Sequence, residues 1–140
     1  MTDSKPNNEE ELSEFDKLKL ELEQSAEELR DEAKDLELRM MRETVAAQRA
    51  HGAGDVKAIL GRRGYVIVKT PKQPTFRKFS DVDNHSSEDL IALIKPCLVT
   101  DRTAFEKLLD VEPGILVPVA GACLELAGIK SADFLAKLKG

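Results

Sequence analysis

Tryptophan is absent from this 140-residue chain, and aromatic residues, one Tyr and five Phe, make up only 4% of it. A core built on stacked rings is excluded, so whatever core forms must be aliphatic. Cysteine is nearly absent as well. Cys97 and Cys123 stand far apart, so neither a disulfide framework nor a Cys-x-x-Cys metal or redox motif can be drawn, and both are expected as buried, reduced thiols. No apolar run approaches the ~20 residues that span a bilayer. The amino-terminal "MTDSKPNNEEELSEFD" lacks the basic and apolar segments of a secretory signal. A cytoplasmic protein with no membrane partner is expected.

Glycine and proline are missing from Glu10 to Ala50, where Glu, Leu, Lys, Arg and Ala dominate. These are good helix formers, and one long helix over residues 10–51 is predicted behind a disordered tail at 1–9. With Leu12 at heptad position a, the a positions are Leu12, Lys19, Ala26, Ala33, Met40 and Ala47. The d positions are Phe15, Leu22, Leu29, Leu36, Glu43 and Ala50. An apolar seam with charge elsewhere marks a helix seeking a partner, yet four alanines, Lys19 and Glu43 make the seam thin. Two readings stay open: a solvated helix lying on its own domain, and an intermolecular coiled coil giving a homo-oligomer.

Charge is asymmetric. The formal net charge is -5, but residues 1–50 hold 8 Lys or Arg against 15 Asp or Glu, whereas residues 51–140 hold 13 against 11. The basic middle can answer the acidic arm or face a different partner.

Beyond Gly52 and Gly54, residues 52–64 read as a glycine-containing hinge, with "DVKAIL" (55–60) as one short helix. "YVIVKT" (65–70) is the clearest strand, closed by Pro71 and Pro74, and it needs a second strand or an oligomer to pair with. Phe76 and Phe79, three apart, fit a helical turn. "SSEDLIALI" opens on Ser86 with Asp89 three residues on, a shortened capping box. "TDRTAFEKLLDV" is capped by Thr100 or Asp101, and "PGILVPVAGACLELA", apolar nearly all round, is the buried central helix ending at Gly128. "SADFLAKLK" (131–139) completes the bundle. The fold class expected is mainly α: a long amino-terminal amphipathic helix followed by a small helical domain, residues 65–140, with a minor β element.

Candidate chemistry is sparse. Gly61-Arg62-Arg63-Gly64 has the Gly-x-x-Gly form of a KH loop, but such loops join two helices, whereas here the second glycine runs into a strand. The P-loop ending and the dinucleotide fingerprint are missing. Arg62, Arg63, Arg77 and Lys78, interleaved with Tyr65, Phe76 and Phe79, are the candidate polyanion contacts, although the acidic balance of the chain argues against a nucleic acid. Asp81, Asp83, Asn84, His85 and Asp89 superficially resemble a divalent-metal set without the EF-hand order. His51 falls at a helix end, and no nucleophile carries a recognisable base motif. No enzyme, no cofactor and no metal site is expected.

The order of elements over residues 66–128 resembles the tail assembly chaperones of long-tailed bacteriophages. An apolar strand precedes Pro74, Phe76 and Phe79; a helix ends near Cys97 to Val99; "FEKLLDVEPGIL" and an apolar helix closing in "LELAG" follow. The resemblance implies a non-catalytic morphogenesis protein in the host cytoplasm. It would coat the helical tape measure protein, recruit tail tube subunits, and leave before the tail is complete, often as one of two products of a ribosomal frameshift. The long acidic arm departs from the short amino terminus of that group and points to a further, structural attachment role.

The leading expectation is therefore a tail assembly chaperone whose partner-binding residues are Leu22, Leu29, Leu36, Met40, Phe76 and Phe79. A structural protein held in the particle by its amino-terminal helix is the second, and a nucleic-acid module using residues 61–79 the third.

Overall fold

The computed structural model describes residues 13–80 and 85–130; the expected tail at 1–9 and the expected final helix at 131–139 lie outside the described residues. The architecture is mainly helical with a small antiparallel sheet, the fold class that composition and periodicity predict. The elements run α1 (Glu14–His51), β1 (Val56–Leu60), β2 (Tyr65–Lys69), α2 (Gln73–Ser80), α3 (Ser87–Ile94), α4 (Arg102–Val111) and α5 (Leu116–Leu126), with single 3-10 turns before β1, after α3 and before α5.

The chain divides into two compact units, residues 1–35 and 36–140. In the first, α1 opens at Ser13, whose hydroxyl accepts from the Asp16 amide at 3.1 Å. Every described residue from Ser13 to Asp35 is exposed, including the d-position residues Phe15, Leu22 and Leu29 at 72, 70 and 64%. The unit boundary falls within α1, not at the glycines, because residues from Leu36 onward belong to the second unit.

In that second unit the segment at 56–60 is a strand and not the expected helix, and residues 52–64 are not a hinge. Lys, Ala and Leu favour helix locally, but pairing with β2 overrides so weak a preference. The register runs from Val56 opposite Lys69 to Leu60 opposite Tyr65, leaving a tight loop at 61–64. Gly52, at φ +100°, ends α1 as expected of a glycine there.

Alternation along this hairpin sorts its side chains onto two faces. Ile59, Val66 and Val68 turn toward the main core of Phe79, Leu90, Leu93, Ile94, Phe105, Leu108, Val119 and Leu124. Val56 and Ile67 turn the other way, against Ala47 of α1. Burial on both faces explains why β2 reads as an unbroken apolar run. The far edge of β2 is covered by a bridge from Val68 to Leu98 and by the Thr100 hydroxyl, which accepts from the Ile67 amide at 2.8 Å. Thr100 is thereby taken, and Asp101 caps α4 by accepting from the Ala104 amide at 3.1 Å.

The capping box at α3 forms as predicted, with Ser86 and Asp89 each accepting from the other's amide. Helix α5 is central, packing against α3 and both strands, and a Schellman-type end at Gly128 (φ +98°) closes it. No polar or charged side chain among the described residues is buried. Fully burying a side chain such as Phe105 contributes about 2–3 kcal/mol, so the aliphatic core stabilises this unit.

Candidate protein-docking groove

Helix α1 from Leu36 onward, the hairpin and α4 enclose an open groove of about 790 Å³ within the second unit. Its α1 wall carries Leu36, Glu43, Ala47 and Ala50; Tyr65, Ile67 and Val99 lie at the base; Ala104, Leu108 and Val111 form the α4 wall. The concavity follows from side-chain size, since Ala46, Ala47 and Ala50 leave room on the α1 side where longer residues would fill it. Val111, 57% exposed, is a large apolar residue open to solvent at the last turn of α4. Arg39, Arg63 and Lys107 against Glu43 and Asp101 give the lining a mixed, slightly basic charge. The Tyr65 hydroxyl donates to the Glu43 carboxylate, tying the hairpin to α1 and fixing that carboxylate at the wall.

The expected partner-binding residues separate into three groups. Leu22 and Leu29 are exposed on the first unit's helix, as a docking role requires. Leu36 and Met40 are half-buried, and Leu36 lines the groove. Phe79 is 7% exposed inside the core with Phe76 packed beside it. Phe79 is not placed to meet a partner, because burial against Leu90 and its neighbours already uses its surface, whereas Phe76 is half-buried. The groove residues that sequence reasoning missed, Tyr65, Val99, Ala104, Leu108 and Val111, carry no signal of their own, since an apolar residue at a helical or strand period reads as core.

The basic candidates fall on separate elements. Arg62 and Arg63 are exposed at the hairpin tip, while Arg77 and Lys78 occupy the last turn of α2. The tip does hold an anion, but an internal one. The Arg62 amide donates to both oxygens of Glu112 at 2.9 and 3.0 Å, and the Arg63 amide donates to Oε1 at 2.8 Å. Gly61 allows this close approach: a Cβ would lie 2.6 Å from Glu112 Oε2 and 2.9 Å from Ile115 Cδ1, so those side-chain ends would have to shift. The Gly-x-x-Gly tetrapeptide is thus a strand-to-strand loop built around a carboxylate.

Of the superficial metal set, Asp81, Asp83 and Asn84 lie outside the described residues. His85 stacks on Phe79 with ring centroids 3.8 Å apart, and Asp89 is engaged with Ser86. The backbone bond from Ser86, then its hydroxyl, hold the Asp89 carboxyl below its ordinary range. Cys97 and Cys123 are both fully buried, as expected, and the Cys97 thiol donates to the Leu93 carbonyl at 3.3 Å. Donation of its S–H to the Cys97 sulfur, then burial, push the Cys123 thiol up. Among the described residues no helix is long and apolar enough to cross a membrane.

No known protein family matches the chain, and no curated protein or solved structure is similar to it.

Proposed function

We propose that the chain is a non-enzymatic phage morphogenesis protein of the tail assembly chaperone type, acting in the host cytoplasm. It would hold amphipathic helices of a tape measure protein, and contacts of tail tube subunits, against its second unit. The observation that carries this reading is the groove between α1 and α4, lined mostly by apolar side chains with Arg39, Glu43, Arg63, Asp101 and Lys107 among them. An amphipathic helix laid into a groove buries its apolar stripe and leaves its polar face in water. The order of strand, paired phenylalanines and apolar last helix, on which the family resemblance rests, adds support.

Co-expression with the tape measure protein of the same genome, followed by affinity capture, tests the reading. Capture is expected with the full chain and a loss of at least about tenfold in affinity for Val111→Asp, which puts a charge at the exposed mouth of the groove. Equal capture by both proteins, or none by either, would overturn it.

The second reading, a structural protein retained in the particle through its amino-terminal helix, draws on the exposure of Phe15, Leu22 and Leu29. Mass spectrometry of purified particles separates the two, because a chaperone leaves and a structural protein stays. The third reading, a nucleic-acid module using residues 61–79, keeps its exposed Arg62, Arg63, Arg77 and Lys78, but the loop amides are taken by Glu112 and Phe79 is inside the core.

A further inference from the structure

The exposed half of the seam, in the first unit, carries Phe15, Lys19, Leu22, Ala26 and Leu29. The other half supplies Leu36, Glu43, Ala47 and Ala50 to the wall of the groove. We propose that two copies of the chain pair antiparallel through α1, centred on Asp31, so that residues 15–33 of each copy lie in the groove of the other.

The register follows from the sequence. In an antiparallel pair each a residue faces a d residue of the partner. Centring on Asp31 sets Leu22 against Met40, Ala26 against Leu36, Leu29 against Ala33, and Lys19 against Glu43, with Phe15 falling beside Ala47, which Val56 and Ile67 already cover. Two layers place a large side chain on an alanine, which fills the space the small residues leave. The third pairs two apolar chains. The two polar interruptions of the seam meet each other, with opposite charge.

Alternative pairings lose this match. A parallel pair in register sets Lys19 against Lys19 and Glu43 against Glu43, two repulsive layers. Sliding the antiparallel pair by one heptad either way puts Lys19 and Glu43 against apolar residues. A polar or charged seam position selects register and orientation because the wrong alignments leave it unpaired. Glu43 is already held at the groove wall by the Tyr65 hydroxyl, so its carboxylate is oriented before Lys19 of a second copy arrives.

Charge favours the same occupant. Residues 14–35 carry nine Asp or Glu against four Lys or Arg, while the groove lining presents Arg39, Arg63 and Lys107. An acidic helix approaching that rim is attracted, and the symmetric exchange satisfies both copies at once. A client helix would have to displace the exchanged one; that competition rests on the chaperone reading, whereas the dimer does not.

Light scattering on the full chain is expected to give twice the chain mass of 15.5 kDa. Lys19→Glu should weaken the dimer at least about tenfold, and adding Glu43→Lys to it should restore pairing to within about threefold. Circular dichroism checks that each variant keeps its helix. Orientation is read by cross-linking: mixing the Lys19→Cys and Glu43→Cys chains should give a disulfide between copies, and Lys19→Cys alone should give none. A monomeric mass, a Lys19→Cys link to itself, or a charge swap that fails to restore pairing would overturn the proposal.

Discussion

Glu112 holds Arg62 by its backbone and not by its charge: both carboxylate oxygens accept from the Arg62 amide, at 2.9 and 3.0 Å, and the guanidinium is left in solvent. Glu112 sits at the carboxy end of α4, so one side chain ties the hairpin tip to the α4–α5 junction. Charge-assisted bonds of this kind contribute about 1.5–3 kcal/mol, less where water reaches them. Glu112→Ala should lower unfolding free energy by about 1–3 kcal/mol in urea, and Glu112→Gln by roughly half of that, since an amide oxygen still accepts.

The same geometry separates the glycine from the arginines. Gly61→Ala brings a Cβ into the Glu112 carboxylate and Ile115, and should cost about 1–2 kcal/mol by displacing the bonds described above. Arg62→Glu and Arg63→Glu keep their amides and should stay within about 0.5 kcal/mol of the parent. Chemical denaturation of the three variants side by side checks the contrast; destabilisation by the arginine changes alone would assign the tip to the charges.

Asp89 makes the first turn of α3 pH-sensitive. Its folded-state pKa lies below its unfolded value because Ser86 donates to the carboxylate. Its stabilising contribution is therefore complete above the unfolded pKa of about 3.9 and is lost as pH falls through the folded value. Asp89→Asn should flatten this part of the acid denaturation curve, followed by far-ultraviolet circular dichroism, while leaving the neutral baseline of helicity in place.

Neighbouring residues of α2 should respond in opposite ways. Phe79→Ala removes a ring at 7% exposure and is expected to cost about 3–5 kcal/mol, whereas the exposed Arg77→Ala should change stability by less than about 0.5 kcal/mol. Urea midpoints at unchanged slope measure both. A mild Phe79→Ala would return this phenylalanine to the set of partner contacts.

Local chemistry determined much of the architecture. The absence of Gly and Pro from Glu10 to Ala50 wrote one long helix, Gly52 and Gly128 wrote helix ends, and Ser86 with Asp89 wrote a cap, because each depends on backbone freedom or on partners a few residues away. The aliphatic run of α5 marked the centre of the core by the same local logic. Only the tertiary structure decided that Val56–Leu60 is a strand, since its partner is β2 and its helix-forming residues carry no trace of that pairing. It also decided that Thr100 serves the edge of β2 and that Gly61 makes room for Glu112, contacts between residues 33 and 51 positions apart. The groove belongs to this second kind. Its walls come from α1, the hairpin and α4, and a residue facing a groove between distant elements has the same apolar signature as one facing a core.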